Sequence, residues 1–329
     1  MAASGTSVHR LRTEDPVLIV ANGNPLSRRA DSMAQTALRQ LQSSWESHVE
    51  LVTTDYAGHA RAVAEMWASD HLDGTIIGIG GDGTLNEIGN GILSATVAFG
   101  SRVVLAICGG GNANDQYRSW PPSQRMRLED VPSAAPVPVD VLEVSYSANN
   151  HKQPRSQYAL SYAAIGALAT GASVVNGRRR GMLADLALIP QTLLRARPVS
   201  VVIGGRLARI DSLSWHVIST MAKVFRVSPN SRRTDGLMEV ILVPHRRWPT
   251  AIRMSWFGIR AMLWPHRPSQ STRMMFFWKQ GGAAQLDGET VDIPPDSHVT
   301  VRCVPAALRM LCCDIDASTK SLSATAATN

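Results

Sequence analysis

The first 120 residues alternate short apolar runs with helical stretches, and this alternation constrains the fold more than any other feature. Runs such as PVLIVA (16–21) and GTIIGI (74–79) are rich in apolar and β-branched residues, as strands are. Strands that alternate with helices indicate a parallel sheet covered on both faces. The predicted order is strand 16–21, helix 24–42, strand 49–53, helix 58–69, strand 74–79, helix 84–94, strand 102–107 and a short helix before Pro121.

The pattern changes after a proline-rich boundary at residues 131–140 (VPSAAPVPVD). Beyond it, short apolar segments dominate, so we expect a second domain with a mainly antiparallel sheet. The tail from Ser318 offers almost nothing to pack and is expected to be disordered. The β-rich segments predicted in this half are 139–146, 199–204, 213–219, 237–243, 274–278, 284–293 and 298–304, and two helical stretches are predicted near 181–195 and 249–264.

The composition limits the class of protein. A chain of 329 residues with 44% hydrophobic and 18% charged residues has the size and balance of a two-domain globular enzyme. Its formal net charge of +7 comes mostly from arginine and suits anionic partners, such as nucleotide phosphates or an anionic membrane face. Because the arginines are scattered, apart from 178–180 and 245–267, we expect no nucleic-acid partner.

Three further features concern the compartment. The four cysteines show neither metal-ligand spacing nor a disulfide framework, which fits a reducing environment. The first residues lack the apolar core of a signal peptide. The longest apolar run, 158–175, is too short and too rich in Ala, Gly and Ser for a membrane span. We therefore expect a cytoplasmic protein, and the sequence leaves a homodimer open.

Three strand-to-helix junctions carry most of the glycine and polar residues: 22–27 (NGNPLS), 80–87 (GGDGTLNE) and 109–115 (GGGNAND). In an open parallel sheet such junctions meet at the carboxyl edge, where ligands bind. Helix N-termini at that edge present N–H groups and partial positive charge to anions, and glycine lets the backbone approach closely. The junctions therefore predict a phosphate site built from backbone.

Two common nucleotide motifs are absent, and their absence draws attention to Asp82. A P-loop needs a lysine after its glycines, and no lysine precedes Lys152. The dinucleotide motif G-x-G-x-x-G is not matched at 78–83 or 109–114 either. Asp82 is a carboxylate between glycines, which would repel a phosphate unless it bound Mg²⁺ or took a proton from an attacking hydroxyl.

Several polar residues have a structural interpretation as well. Thr84 and Glu87 fit a capping box, T-x-x-E, so Glu87 either caps its own helix or serves the site. Farther along, Asp235-Gly236 leads into an apolar run and Asp287-Gly288 separates two of them. In that setting Asp-Gly is first of all a hairpin-turn signal, so physical reasoning alone favours turns at both.

Seven blocks of the sequence, in order between Val17 and Leu311, resemble the diacylglycerol-kinase catalytic-domain superfamily, which includes sphingosine and ceramide kinases and bacterial lipid kinases. The most specific is GGDGTLNEIGNGIL, which is similar to the family signature. The other matching segments are Asn24-Pro25-Leu26-Ser27 (N-P-x-S), Thr53-Thr54 with Gly58-His59-Ala60, Gly111-Asn112-Ala113-Asn114-Asp115 (G-T-A-N-D), Asp235-Gly236-Leu237 (D-G-L), Asp287-Gly288-Glu289 (D-G-E) and 304–308 (V-P-x-A-L).

The resemblance implies a fold and a division of the chain. A nucleotide-binding α/β domain at 15–135 would be related to the phosphofructokinase and NAD-kinase folds. A mainly antiparallel β-sandwich at 136–304 would bind the acceptor. A last strand at 305–315 would return to the first domain. Residues 1–14 would form a flexible start and 316–329 a disordered tail.

The resemblance also implies roles for particular residues, with ATP and Mg²⁺ as cofactors. Asp82 and Asp235 would serve the metal. Sphingosine-type relatives suggest Asp82 as the general base and bacterial ones suggest Glu289, so both are retained as catalytic candidates. The cofactor-binding residues implied are Asn24, Ser27, Thr54, Gly80, Gly81, Gly83, Thr84, Asn86, Glu87, Gly111, Asn114 and Asp287.

The function that follows is transfer of phosphate from ATP to a hydroxyl of diacylglycerol, a sphingoid base or a similar lipid. One alternative is a kinase of a soluble small molecule such as NAD, because G-G-D-G-T is shared with NAD kinases. A second is a catalytically weak nucleotide or lipid binder, which is permitted by Arg28 in place of the family glycine and by Asn112 in place of the threonine.

The segment 245–267 (HRRWPTAIRMSWFGIRAMLWPHR) combines tryptophans with arginines, and Pro249 suits a helix start. A basic, aromatic helix can lie on a membrane surface, so transient contact with an anionic membrane is one expectation. The alternative is that its apolar side packs on the second domain and its arginines are solvated.

Overall fold

The computed structural model divides the chain into two compact units. The first comprises Met1–Val139 and Leu308–Asn329, and the second Asp140–Ala307. The residues that the structure describes are 14–23, 28–45, 48–109, 114–148, 154–170, 196–221, 225–226, 231–246, 248–263 and 268–313.

The first unit is an α/β structure with a parallel sheet, as the alternating pattern predicted. The sheet order is β2-β1-β3-β4, and residues Arg309 and Met310 of β17 add a further parallel strand beside β4. The register is continuous across the sheet, since Ile19 pairs with both Leu51 and Ile77. The elements are β1 (Val17–Asn22), α1 (Arg28–Ser44), β2 (Val49–Thr54), α2 (His59–Asp70), β3 (Thr75–Gly80), α3 (Asp82–Phe99), β4 (Val104–Gly109) and α4 (Asp115–Arg118).

Both faces of this sheet are covered because its central strands are apolar throughout. All six residues of β3 are buried. On one face, α1 presents buried residues at helical spacing, among them Ala30, Ala34 and Leu41. On the other face, Gly78 of β3 lies so close to Leu85 of α3 that a Cβ would meet its Cδ2 at 2.6 Å. The chain therefore buries the two-sided parallel sheet expected from its sequence.

The third helix begins earlier than its predicted start at Thr84. It spans Asp82–Phe99, its N-cap is Gly81 in an extended conformation, and no side chain caps it. The capping-box prediction for Thr84 and Glu87 is therefore wrong, because Thr84 lies inside the first turn rather than at the N-cap position. The helix ends at Gly100, whose φ of 72° closes it in the left-handed region.

The second unit consists mostly of antiparallel strands, as expected. Strand β9 is central, because it pairs antiparallel with β7, β8 and β12. The elements are β5 (Ala135–Ala148), β6 (Arg155–Ala159), β7 (Tyr162–Gly166), β8 (Val199–Ile203), β9 (Arg206–His216), β10 (Thr220–Met221), β11 (Phe225–Arg226), β12 (Met238–Pro244), α5 (Thr250–Leu263), β13 (Ser269–Ser271), β14 (Arg273–Trp278), β15 (Gly282–Leu286), β16 (Glu289–Ile293) and β17 (Ser297–Cys312).

The structure adds detail to three segments. Within the proline-rich segment at 131–140, strand β5 begins at Ala135 and continues through the division between the units at Val139 and Asp140. The apolar run at 158–175 contains the end of β6 and all of β7, two strands that its small residues concealed. The β-rich segment 284–293 contains the hairpin of β15 and β16, with its turn at Asp287-Gly288 as the sequence predicted.

Some expectations lie outside the described residues. These are Asn24, Ser27 and Gly111 among the predicted site residues, the N-terminal residues 1–13, the helix near 181–195 and the tail at 316–329. Within the described part of the chain, no helix is both long enough and apolar enough to cross a membrane.

Candidate active site

The topology of the first unit marks one edge of its sheet as a binding edge. Strand β1 lies between β2 and β3, so the chain runs to one side after β1 and to the other side after β2. A parallel sheet binds ligands at the carboxyl ends of the strands where the order reverses in this way. Here those ends are Asn22 of β1 and Gly80 of β3. The glycine-rich segment with Asp82 therefore begins at the switch point of the sheet.

The start of α3 forms a close backbone turn. A Cβ on Gly80 would meet Cβ and Oγ1 of Thr84 at 2.8 Å, so only glycine fits there without displacing its neighbour. Gly81 then enters the helix without a side-chain cap. The first N–H groups of an α-helix have no intrahelical acceptor, and in this helix no capping side chain supplies one. The segment from Gly80 to Thr84 thus has the features of a backbone anion site.

Asp82 is the first residue of α3 and is half-buried. Its Oδ1 accepts a hydrogen bond from the backbone N–H of Gln116, 2.9 Å away. Burial raises the pKa of the Asp82 carboxyl above its usual value, although backbone hydrogen bonds, chiefly from Gln116 and Asp115, pull it down. A carboxyl whose ionised form is disfavoured by burial holds a proton more readily than an exposed one, as a general base must.

Two side chains connect the ends of neighbouring strands around this turn. The Nδ2 of Asn22, at the end of β1, donates to Oγ1 of Thr84 at 3.1 Å. The Oγ1 of Thr54, at the end of β2, accepts from the backbone N–H of Gly23 at 3.2 Å. The structure therefore brings Thr54, Thr84 and the glycine-rich turn to the same edge of the sheet.

Asn114 and Gln116 approach from β4, the next strand of the same sheet. Asn114 has a φ of 54°, in the left-handed region, and precedes the short helix α4. The side chain of Gln116 is fully buried in that helix. The N–H of Gln116 is directed at the Asp82 carboxylate, so the described residues that follow β4 hold Asp82 through their backbone.

The next two predicted nucleotide residues have other partners. Asn86 is buried, and its Oδ1 accepts a hydrogen bond from Nδ2 of Asn90 at 2.6 Å within α3. The two carboxylate oxygens of Glu87 accept the backbone N–H groups of Gly58 (2.8 Å) and Ala60 (3.2 Å). Glu87 therefore caps α2 rather than its own helix. This is a structural role that the T-x-x-E pattern did not indicate.

In the second unit, the segment around Asp235 is held by a buried carboxylate that sequence reasoning missed. Asp235 is exposed, and its Oδ1 accepts the N–H of Leu237 at 3.0 Å, which forms a local turn before β12. The two oxygens of Asp140 accept the N–H groups of Gly236 (2.7 Å) and Ala306 (2.9 Å). Asp140 is 2% exposed, so it fixes the backbone beside Asp235 from within β5. The sequence signal that could have identified Asp140 is a single aspartate within an apolar strand pattern.

A second buried carboxylate lies on β12, two residues beyond Leu237. Glu239 is 1% exposed and accepts a hydrogen bond from Oγ of Ser231 at 2.8 Å. Burial raises the pKa of Glu239, although that hydrogen bond opposes the rise. Burial also raises the pKa of the Cys303 thiol to about 12, helped by the charges of Asp140, Asp235 and Glu239. This thiol is therefore uncharged at neutral pH.

The Asp287-Gly288 pair forms a two-residue hairpin turn, as its sequence predicted. Leu286 pairs with Glu289 across it, and the φ angles of 48° at Asp287 and 96° at Gly288 are those of the turn type that suits hairpins. The carboxylate of Asp287 is buried and accepts the backbone N–H groups of Leu160, Ser161 (2.9 Å) and Tyr162 (2.9 Å).

Asp287 and Glu289 thus occupy different environments although they belong to one motif. Asp287 holds the segment between β6 and β7, whereas Glu289 is exposed at the start of β16. A cofactor role for Asp287, as predicted, would have to be served by a carboxylate that is already engaged with three backbone N–H groups. The catalytic role predicted for Glu289 needs an accessible carboxylate, which it has.

The residues that could hold a metal supply few ligands by themselves. Among the described residues, no three His, Cys, Asp or Glu side chains are grouped as a metal site would require. Mg²⁺ is usually held by one or two carboxylates together with substrate phosphates and water rather than by an all-protein cage. Single carboxylates such as Asp82 or Asp235 fit that mode.

Comparisons with known proteins agree with this fold. Residues 16–144 match the sequence model of the diacylglycerol kinase catalytic domain. The chain is 25% identical over 252 residues to the diacylglycerol kinase of Bacillus subtilis (strain 168), and the match covers 72% of this chain and 77% of that protein.

Solved structures give the same result for the architecture. A diacylglycerol kinase crystal structure from Bacillus anthracis str. Sterne superposes with a TM-score of 0.61 and 18% identity, covering 90% of this chain and 96% of that one. A further structure from the same organism superposes with a TM-score of 0.65 and 19% identity over the same shares. At such identity these structures establish a shared fold.

Proposed function

We propose that the protein is an ATP- and Mg²⁺-dependent lipid kinase of the diacylglycerol kinase superfamily, because residues 16–144 match the sequence model of that catalytic domain. Its acceptor is a hydroxyl of diacylglycerol, a sphingoid base or a similar lipid-like alcohol. The observation that carries the proposal is a carboxylate with a raised pKa, Asp82, at the switch point of a parallel sheet and at the start of an uncapped helix.

The site residues fit a phosphate-bearing donor. The backbone from Gly80 to Thr84 offers N–H groups and the positive end of α3, which attract phosphate oxygens without a lysine. Thr54, Asn22 and Asn114 border the same edge and supply polar groups for the remainder of the nucleotide. When bound, Mg²⁺ supplies positive charge that neutralises the phosphate oxygens. We propose Asp82 as the candidate metal ligand of the first unit and Asp235 as the candidate of the second, each considered by itself.

Phosphoryl transfer depends mostly on positioning and charge, so the protein has one proton to manage. We propose that the Asp82 carboxylate accepts the proton of the acceptor hydroxyl. The hydrogen bond from the backbone N–H of Gln116 fixes the orientation of this carboxylate. Glu289 remains the second candidate for this role because it is exposed. The acceptor is membrane-borne, so peripheral contact of a cytoplasmic enzyme with an anionic bilayer belongs to the proposal.

Transfer of labelled phosphate from ATP with Mg²⁺ tests the proposal. The acceptors are diacylglycerol, sphingosine and ceramide in mixed micelles, with NAD and a crude polar extract beside them. A labelled product in the organic phase supports a lipid kinase and identifies its acceptor class. Label in the aqueous phase alone, or no product while ATP binds, contradicts it.

Substitutions then separate the two bases. We expect Asp82→Asn to lower kcat by roughly 10²–10⁴-fold, the usual contribution of a general base. The matched control is Asp73→Asn, an exposed aspartate of the same unit that pairs with Arg102. If Glu289→Gln gives the larger loss, Glu289 is the base. Full activity in the double variant Asp82→Asn/Glu289→Gln would exclude both.

The pH dependence provides an independent check. The ionised form of Asp82 is the base, so activity should fall as the pH drops through the folded pKa of Asp82, which burial raises above the usual value. The residual activity of Asp82→Asn should lack this acid limb. The same limb in both proteins would assign it to another group.

A further inference from the structure

One side of α5 packs against the core of the second unit. Met254 is buried and belongs to an apolar cluster with Ile241 and Val243 of β12, and Ala251 and Phe257 pack against that cluster. This packing is what the alternative to a membrane helix predicted. This packing buries only some of the apolar side chains of residues 245–267, and others remain exposed.

The start of α5 is also held by a buried charge. Asp211 of β9 is fully buried, and its Oδ1 accepts hydrogen bonds from Nδ1 of His245 (2.7 Å) and Oγ1 of Thr250 (2.8 Å). Its other oxygen accepts from the guanidinium of Arg253. Because a buried carboxylate with three donors is costly to disrupt, the first turn of α5 is fixed on the sheet. The opposite side of the helix is thereby presented outward in one orientation.

That outward side carries large apolar side chains in water. Ile252 and Trp256 are four residues apart, hence on one face of α5, and they are 54% and 65% exposed. Trp248, two residues before the helix, is 67% exposed. Two exposed indoles and an exposed isoleucine within nine residues form an apolar surface of the kind that marks an interaction site. We call Trp248, Ile252 and Trp256 the apolar stripe.

The charge around the apolar stripe has one sign. Between Glu239 and Asp287 the sequence contains no aspartate or glutamate, while it contains six arginines and one lysine. Arg246 and Arg260 are exposed at the two ends of the segment. Arg253 is the exception, since its charge is matched by Asp211. The partner of this surface should therefore be apolar and negatively charged.

We infer that the apolar stripe with Arg246 and Arg260 is a docking surface for an anionic lipid bilayer. Tryptophan side chains suit the interface between headgroups and acyl chains, and arginine can place its charge among anionic headgroups while its stem stays apolar. A second copy of the chain fits less well, because a symmetric contact would bring arginines against arginines. This inference rests on the proposed function in one respect, namely that the bilayer contains the lipid acceptor.

Vesicle sedimentation with the full chain tests the docking surface. The vesicles contain phosphatidylglycerol and phosphatidylcholine in equal amounts, or phosphatidylcholine alone. We expect the protein to bind the anionic vesicles at low salt and to be released as salt rises. Trp248→Ser/Trp256→Ser should weaken binding by about tenfold or more. The matched control is Val97→Ser/Phe99→Ser, which removes two comparably exposed apolar side chains of α3 and should bind like the original protein.

A second pair of variants separates charge from apolar burial. Arg246→Gln/Arg260→Gln should lower affinity for anionic vesicles by on the order of tenfold, and affinity for neutral vesicles hardly at all. Equal binding by the original protein and both double variants overturns the inference. Light scattering addresses the second copy: a dimer that the tryptophan substitutions break, with no vesicle binding, also overturns it.

Activity with a short-chain diacylglycerol dispersed in water distinguishes this inference from the proposed function. We expect Trp248→Ser/Trp256→Ser to phosphorylate that acceptor at the original rate and to lose activity on vesicle-borne diacylglycerol. Vesicle binding without any kinase activity supports docking and contradicts the proposed function. Kinase activity on the dispersed acceptor without vesicle binding supports the proposed function and contradicts docking.

Discussion

The two units each contain an Asp-Gly pair whose carboxylate accepts backbone N–H groups distant in sequence, yet the two pairs occupy different positions in their sheets. Asp287 sits in a hairpin turn and accepts three N–H groups of residues 160–162. Asp82 starts a helix, its Oδ1 accepts the N–H of Gln116 at 2.9 Å, and burial still raises its pKa. Backbone donors hold both carboxylates, so the difference lies in their positions. Asp287 is occupied by a hairpin turn and the 160–162 segment, whereas Asp82 lies at the carboxyl edge of a parallel sheet with a raised pKa, which makes it the candidate for chemistry.

The largest effect on stability is expected at Asp287. Asp287→Ala leaves three buried N–H groups without their acceptor and places alanine at a φ of 48°, so unfolding should become easier by about 3–5 kcal/mol. Urea unfolding measures this loss. The matched control is Asp292→Ala, an exposed aspartate on β16 of the same hairpin. A loss no larger than that of the control would mean that the carboxylate does not hold the 160–162 segment.

Asp140 should come next, since it accepts two N–H groups with separate oxygens. Asp140→Asn retains one acceptor and places an amide donor against the other N–H, so we expect a loss of about 2 kcal/mol in the free energy of unfolding. Asp292→Asn is the control in the same unit. Equal stability of the two variants would show that Gly236 and Ala306 keep their positions without Asp140.

Glu87 tests the same principle in the first unit. Glu87→Gln keeps one acceptor for the N-terminus of α2, so it should cost about 1 kcal/mol, and hydrogen exchange should quicken at Gly58 and Ala60. Glu65→Gln on α2 provides the comparison. If Glu87→Gln instead lowers ATP affinity strongly and leaves hydrogen exchange at Gly58 and Ala60 unchanged, Glu87 acts in the nucleotide site, as the sequence predicted.

Asp82 should give the smallest effect on stability and the opposite sign. Asp82→Asn removes a charge that burial disfavours, so the variant should be as stable as the original protein or more stable at neutral pH. With a raised folded pKa, the ionised carboxylate lowers stability above that pKa, and the difference vanishes below the unfolded value of about 3.9. Thermal melting from pH 3 to 8 tests this. Destabilisation at neutral pH would place Asp82 beside Asp287 as a structural residue.

Much of the fold could be read from local sequence. Strands β1 to β4 and the helices between them follow from apolar runs and polar junctions, because a strand buried on both faces must be apolar throughout. The turn at Asp287-Gly288 followed from two residues that tolerate positive φ. The run at 158–175 was harder, since its alanines and glycines carry little strand preference and β7 exists by pairing with β9 and β15.

The site divides in the same way. The sequence by itself determined that glycines and Asp82 follow a buried strand, which is enough for a phosphate-binding edge in a parallel sheet. Only the tertiary structure decided which carboxylates are occupied by backbone donors. Asp140 reaches a backbone N–H 96 residues away and Asp287 one that is 127 residues away. Such partners carry no local signature, because a carboxylate accepts any N–H that the fold brings to it.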